Sequence, residues 1–198
     1  MLRSARIIVV FAAFFATACV PETETFLSDR LAQPLDKRLV GTWYMLERDA
    51  REVVVLSVRR TKDGRFSVIW TELKPHRLDD NDSPPVQFVR YFGHTTRLGK
   101  ANFINLTLVD RTAWKTGTPK RFIMRYWLRK NGLRIAFMKN DVFKDAVKEG
   151  RLAGRLVDNN GVIITAKRKA LLAFIRKTGP DKAFAKPTKP LRRMRATE

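Results

Sequence analysis

Residues 120–139, KRFIMRYWLRKNGLRIAFMK, carry the strongest local folding signal in this chain of 198 residues. Apolar and polar side chains alternate on both sides of Asn131-Gly132. This dipeptide favours a two-residue hairpin turn, because both of its residues tolerate positive φ. With that turn, Tyr126 is expected opposite Phe137. The stretch therefore predicts an antiparallel β-hairpin with one apolar face and one basic face.

The basic face of this hairpin carries a row of arginines. Arg121, Arg125 and Arg129 share it, and the expected register sets Arg129 directly opposite Arg134. Like charges in that position destabilise a hairpin. One interpretation is that an anion binds to this face. The other is an exposed strand face of a very basic protein.

Further strand patterns lie on both sides of the hairpin. They are runs rich in β-branched and aromatic residues, at residues 40–47, 51–60, 65–73, 86–97, 102–109 and 161–166. With the hairpin this makes about eight strands joined mostly by short turns. Closure into a barrel removes the exposed edges of such a meander. The sequence therefore predicts a mainly β fold, a single antiparallel up-and-down barrel over residues 39–178.

Two short helices are expected after the hairpin. The first has Asn140 or Asp141 as its N-cap and ends at Gly150. The second is capped by Thr165 and ends at Gly179. These assignments follow from the preference for polar N-caps and for glycine after the last turn.

The first predicted strand opens with Gly41-Thr42-Trp43, which resembles the G-x-W motif of the lipocalin and wider calycin families. In those families the Trp plugs one end of the barrel, and a basic residue after the last strand packs on it. The resemblance gives that second role to Arg168 or Lys167. It implies a calycin-like barrel that binds a small hydrophobic ligand.

An eight-stranded barrel either holds one small ligand or is filled by its own side chains. The candidate pocket residues are the large side chains Phe66, Trp70, Leu106, Tyr126 and Phe137. Aromatic residues at strand spacing suit a solid core equally well. The sequence leaves both a cavity and solid packing open.

The N-terminus has the three-part pattern of a secretory signal. Arg3 and Arg6 precede an apolar run at residues 7–18, which is too short to span a bilayer. The small residues at 16–18, directly before Cys19, resemble the lipobox of bacterial lipoproteins. In those proteins this cysteine is lipid-modified and becomes the mature N-terminus.

The lipoprotein resemblance implies a division of the N-terminal region. Residues 1–18 are the expected signal peptide, Cys19 the lipidated residue, and residues 19–38 a tether that leads to the barrel. Val20 after the cysteine is similar to an outer-membrane address. The expected location is therefore the cell envelope, on the periplasmic face of the outer membrane in a Gram-negative host. Residues 162–177, VIITAKRKALLAFIRK, are also similar to the ends of uncharacterised bacterial lipoproteins.

The chain is strongly basic, with a net charge of +21. Residues 176–198 contain eight basic and two acidic residues, three prolines and few large apolar groups. This composition predicts a disordered basic tail at 179–198. Arg192 and Arg193 join the hairpin arginines as candidates for binding anionic lipid or an acidic envelope component. A solvated tail without a partner explains the same pattern, and export argues against nucleic acid.

Catalytic patterns are weak throughout. The two histidines, His76 and His94, have no second cysteine or carboxylate cluster with which to form a zinc site. No serine lies in a G-x-S-x-G turn. The acidic stretch LDDNDSPP at 78–85 lacks the glycine and glutamate of an EF-hand. We therefore expect a protein that is not an enzyme and that uses no metal or cofactor.

Two functions remain as hypotheses. The first is a membrane-anchored barrel that binds a small hydrophobic ligand. The second is a non-catalytic scaffold whose basic surface and tail bind anionic lipid or an acidic partner in the cell envelope.

Overall fold

An eight-stranded antiparallel sheet, nearly closed into a barrel, is the main element of the computed structural model of this chain. The predicted mainly β, calycin-like barrel is thereby confirmed. The structure describes residues 20–29, 35–46, 52–73, 86–109, 120–157 and 161–194. The expected signal peptide, Cys19 and the LDDNDSPP loop lie outside the described residues.

Seven consecutive strands form the wall, each hydrogen-bonded to the next, and the remaining strands are short. The strands are β1 (Glu22–Thr23), β2 (Gly41–Leu46), β3 (Val53–Arg60), β4 (Phe66–Leu73), β5 (Val86–Leu98), β6 (Ala101–Leu108), β7 (Arg121–Arg129), β8 (Gly132–Phe137), β9 (Gly154–Val157), β10 (Gly161–Ile164) and β11 (Arg192–Arg193). Burial alternates along β3 and β4, because successive side chains of a strand point to opposite faces.

The eighth strand of the barrel is the C-terminal segment. β11 pairs antiparallel with β2. Directly before it, the N–H of Leu191 donates to the carbonyl of Leu133 at 2.7 Å, and the N–H of Leu133 donates back at 3.0 Å. The segment thus bridges β2 and β8, the first and last strands of the wall, and closes the seam between them.

The prediction of a disordered tail is therefore wrong over the described part of it, residues 179–194. Phe184 is 1% exposed and Leu191 is fully buried. Burying an apolar side chain of this size stabilises the folded state by about 1.5–3 kcal/mol. The edge of β8 also offers backbone hydrogen bonds, and neither contribution is visible in the overall composition of the tail.

The predicted hairpin is present, but its turn lies one residue earlier than expected. Arg129 pairs with Gly132, and Tyr126 pairs with Ile135 instead of Phe137. Each residue of β7 pairs with a residue of β8 that lies two positions before the expected one. Because side chains alternate with a period of two, each one keeps the face that the sequence predicts.

The shift places Gly132 at the start of β8, where the closing segment approaches it and only a glycine fits. Its φ is 129°, and a Cβ placed on it would lie 2.3 Å from the carbonyl oxygen of Leu191. The bare glycine backbone therefore makes room for the closing segment. Because Trp127 lies opposite Arg134, the predicted Arg129–Arg134 pair does not form.

A small second sheet, in the order β1-β10-β9, lies outside the barrel. The segment at 161–166, expected to be a barrel strand, contributes β10 to this sheet. The expected tether at 19–38 is also partly folded: β1 runs parallel to β10, and Thr23 and Leu27 are each 2% exposed. The barrel therefore holds the N-terminal segment against its side.

Three helices complete the described structure, α1 (Asn140–Lys148), α2 (Arg168–Thr178) and α3 (Pro180–Ala183). The first two confirm the predicted helices. Their N-caps are Lys139 and Lys167, and neither makes a side-chain capping bond. The expected caps are therefore wrong by one or two residues.

Two apolar clusters lie on the two sides of the barrel wall. The inner cluster fills the barrel and includes Trp43, Phe66, Trp70, Phe122, Tyr126 and Ile135. The outer cluster joins the wall to the helices and the small sheet, and it includes Phe103, Ile123, Phe143, Ile164, Ile175 and Phe184.

A buried polar cluster fixes the N-terminal segment to β5 and β6. The N–H of Leu27 donates to Asn105 Oδ1 at 3.0 Å, and Asn105 Nδ2 donates to Thr96 Oγ1 at 2.8 Å. Ser28 Oγ lies 2.5 Å from Thr96 Oγ1, and His94 Nε2 lies 3.2 Å from the Ser28 carbonyl. These contacts account for the burial of His94 and Asn105 as structural residues.

Candidate functional site

The seam closed by the tail encloses a largely apolar cavity of about 390 Å³. β2, β3, β4 and β8 form its walls, and residues 185–189 of the tail cover it. Its apolar lining includes Met45, Val54, Trp70, Ile135, Phe137 and Pro187. The volume lies within the usual range for small-molecule sites, about 300–1,000 Å³.

Two of the five candidate pocket residues border this cavity. Trp70 and Phe137 meet edge to face, with ring centroids 6.3 Å apart. Phe66, Leu106 and Tyr126 are 1–3% exposed and pack in the barrel interior, away from the cavity lining. The structure thus combines the two alternatives that the sequence left open, a packed interior and a cavity at one seam.

A few polar side chains also line the cavity. Glu72 is 4% exposed and accepts a hydrogen bond from Trp70 Nε1 at 3.3 Å. Glu52 lines the cavity from the start of β3, and Lys186 and Lys189 line it from the tail. An apolar lining with a few placed polar groups is typical of sites for small organic ligands.

A basic groove of about 1060 Å³ adjoins the cavity along the same seam. Six cationic residues line it, Arg38, Arg129, Lys130, Lys189, Arg192 and Arg193. Its lining residues include no carboxylate. Met45 and Lys189 line both the groove and the cavity, so the two sites are neighbours that share part of their wall.

Only three of the six predicted anion-binding residues line the groove. Arg129 comes from the β7–β8 hairpin, and Arg192 and Arg193 come from the tail. Sequence reasoning named these three residues but could not place them together. The cavity lining at 185–189 was missed because the tail was expected to be disordered.

The other three predicted anion-binding residues lie outside the groove, and two of them make structural contacts elsewhere. Arg121 Nη1 donates to the Glu24 carbonyl at 2.5 Å, which ties the N-terminal segment to β7. Arg125 donates to Asp181 at 2.5 Å and lies 4.5 Å from the centroid of the Trp127 ring. Arg134 lies on β8 opposite that tryptophan, outside the groove.

The tryptophan of the G-x-W motif does pair with a cation, but with a different one from that expected. Trp43 is 3% exposed, and its indole Nε1 donates to the Leu39 carbonyl at 2.9 Å. The guanidinium of Arg193 lies 5.5 Å from the centroid of its ring. Of the two residues to which the lipocalin resemblance gave this role, Arg168 forms an ion pair with Asp29 and Lys167 is the N-cap of α2.

Gly41 gives Arg193 the space for this position. A Cβ on Gly41 would lie 3.1 Å from Arg193 Nε. Arg193 Nη2 also donates to the Val40 carbonyl at 2.6 Å. The glycine and the tryptophan of the motif therefore both contact the closing strand.

Asp36 connects the start of the barrel to its interior. It forms an ion pair with Arg38 at 2.8 Å and accepts a hydrogen bond from the Tyr126 hydroxyl at 3.0 Å. The hydrogen bonds from Arg38, and then from Tyr126, lower the pKa of Asp36 below its usual value. Burial, with the Asp36 charge adding to it, raises the pKa of Tyr126 well above its usual range.

Asp36→Asn is expected to lower the free energy of unfolding at pH 7 by about 1 kcal/mol, because it weakens two hydrogen bonds to a charged group. The pKa of Asp36 is lower in the folded than in the unfolded state, where it is about 3.9. The stabilisation is therefore complete above that value and is lost as the pH falls through the folded pKa. Urea unfolding of parent and variant at pH 7 and below pH 3 checks this. If parent and variant differed as much in free energy of unfolding below pH 3 as at pH 7, the prediction would be contradicted.

Comparisons of this chain with protein-family models, with curated proteins and with solved structures find no match. Within the described ranges, no group of three or more His, Cys, Asp or Glu side chains is placed to hold a metal ion. No helix in the same ranges is long and apolar enough to cross a membrane.

Proposed function

We propose that this protein is a non-enzymatic, lipid-anchored barrel that binds one small hydrophobic ligand. The observation that carries the proposal is the apolar cavity of about 390 Å³ at the seam. Phe66, Leu106 and Tyr126 are buried in the barrel interior, whereas the seam leaves this volume open to a ligand.

Few backbone hydrogen bonds hold the tail wall of the cavity, at residues 185–189, to β8. Ala185 N–H donates to the Phe137 carbonyl and Thr188 N–H to the Ile135 carbonyl, both at 2.8 Å. Such a bond contributes only about 0.5–1.5 kcal/mol to stability. A ligand can therefore enter by displacing a short segment while the strands of the wall stay paired.

The N-terminal segment suits a place at a membrane surface. Val20 packs against the inner apolar cluster, and it directly follows Cys19 in the sequence. Lipidation of Cys19, as the lipobox resemblance implies, would hold the barrel close to the membrane of the cell envelope. In a Gram-negative host the proposed location is the periplasmic face of the outer membrane. Apolar molecules dissolve in that membrane, which gives the cavity a source of ligand.

Filling the cavity tests the proposal. Ala185 lines the cavity, so Ala185→Trp is expected to place an indole in it and to weaken binding of dodecanol by roughly tenfold or more, about 1.4 kcal/mol. The measurement is native mass spectrometry of the full chain in mild detergent, titrated with dodecanol. Ala170→Trp, on the exposed surface of α2, is the matched control and should bind as the parent does. Failure of the parent to bind dodecanol, or equal binding by both variants, would overturn the proposal.

A second candidate function is a scaffold that binds anionic lipid, and the six cations of the groove favour it. It predicts salt-sensitive binding to vesicles that contain anionic lipid, because salt screens exposed charges. Binding of that kind should be unaffected by Ala185→Trp. The variant therefore separates the two functions.

A further inference from the structure

The apolar cavity and the basic groove adjoin along the seam and share two lining residues, Met45 and Lys189. From this adjacency we infer that the ligand is an anionic amphiphile that reaches from one site into the other. Its alkyl chain occupies the cavity, and its phosphate head lies among the cations of the groove. The inference rests on the proposed function and adds the chemical class of the ligand.

The groove has cations available for such a head group. Arg38 is engaged by Asp36, and Arg193 by the Trp43 ring and the Val40 carbonyl. Four others, Arg129, Lys130, Lys189 and Arg192, form no ion pair with any carboxylate in the described part of the chain. Guanidinium groups bind phosphate through two parallel hydrogen bonds, and a phosphate monoester also carries more than one negative charge and three acceptor oxygens, so it can engage several of these four cations at once.

The difference in charge between the two sites orients the ligand. Glu52 and Glu72 border the apolar volume together with Lys186 and Lys189, so an anionic head there meets two carboxylates that repel it as well as two cations. The same head in the groove meets only cations and neutral groups among the lining residues. The chain end therefore enters the cavity, and the head stays at the basic side of the seam.

Titrations of the full chain by native mass spectrometry, in mild detergent and ammonium acetate, test the inference. Dodecyl phosphate is expected to bind at least tenfold more tightly than dodecanol. The double variant Arg129→Gln/Arg192→Gln should remove most of that advantage, so that dodecyl phosphate binds little more tightly than dodecanol does. The matched control is Arg59→Gln/Arg60→Gln, which removes two exposed arginines that line neither site, and it should keep the advantage.

The other outcomes separate this inference from the proposed function. Equal binding of dodecyl phosphate and dodecanol, both blocked by Ala185→Trp, would overturn the inference and leave the cavity as a site for neutral ligands. Inorganic phosphate that binds as tightly as dodecyl phosphate, with no effect of Ala185→Trp, would show a separate phosphate site and also overturn it. Binding of neither dodecyl compound would overturn both proposals.

Discussion

Phe184→Ala is expected to lower the free energy of unfolding by about 3–5 kcal/mol, the usual cost of removing a buried aromatic ring. Phe184 is 1% exposed, and its ring centroid lies 5.3 Å from that of Phe103 on β6. It also forms a β-bridge with Met138. The side chain thus attaches the start of the closing segment to the outer cluster. Urea unfolding of the full chain, followed by circular dichroism, gives the difference.

A control on the same segment shows whether docking of the tail is responsible. Lys186 is exposed, two residues further along, and Lys186→Ala should change stability by no more than about 0.5 kcal/mol. If Phe184→Ala leaves too little folded protein to measure, Phe184→Leu should give a smaller loss of the same sign. Losses below about 0.5 kcal/mol in both Phe184 variants would show that the tail does not pack on the barrel.

Gly132→Ala is expected to lower the free energy of unfolding by about 3 kcal/mol, because backbone strain and a steric clash add. At a φ of 129° an L side chain is strained, by about 1–3 kcal/mol. The new Cβ would also lie 2.3 Å from the Leu191 carbonyl oxygen, so the closing segment must move. The variant should therefore lose stability and also lose hydrogen-exchange protection at Leu133 and Leu191.

Gly99→Ala separates the two penalties. Gly99 also has a positive φ, 59°, but an added Cβ meets no atom within 4 Å. Gly99→Ala should lower the free energy of unfolding by only about 1 kcal/mol, the strain of the left-handed region. Leu133 and Leu191 should keep their hydrogen-exchange protection in this variant. Equal losses in the two variants would mean that Leu191 does not approach Gly132 as described.

Local patterns predicted the wall of the barrel well. β4 and β6 lie within one residue of the segments expected at 65–73 and 102–109. Alternation with a period of two depends on neighbouring residues alone, so it is readable from the sequence. The faces of the hairpin were likewise correct, although its register was not.

Contacts between distant parts of the chain account for the incorrect predictions of the hairpin register, of the strand at 161–166 and of the tail. Leu191 and Gly132 are far apart in sequence, but they meet beside the hairpin turn at the seam, so the local pattern reveals neither the register nor the seam. The segment at 161–166 has the pattern of a strand, but the pattern does not say which sheet receives it. The composition of the tail conceals two well-placed apolar residues, Phe184 and Leu191.

The candidate site, too, was predictable from the sequence only where local patterns determine it. Trp70 and Phe137 could be named because strand alternation turns them inward. Arg129 and Arg192 could be named as cations with a possible anionic partner, but only the docked tail brings them into one groove. A cavity at the seam could not be predicted, because one of its walls is the segment expected to be disordered.

The most direct test of the central claim is the mass of the protein extracted from its own membrane in mild detergent, measured first under native and then under denaturing conditions. The account predicts a denatured chain that begins at an acylated Cys19, and a native mass larger by one small molecule that is released on denaturation. Added dodecanol serves as the positive control for retention of a ligand. A native mass equal to the denatured mass, under conditions in which added dodecanol stays bound, would contradict the claim that this barrel carries a ligand.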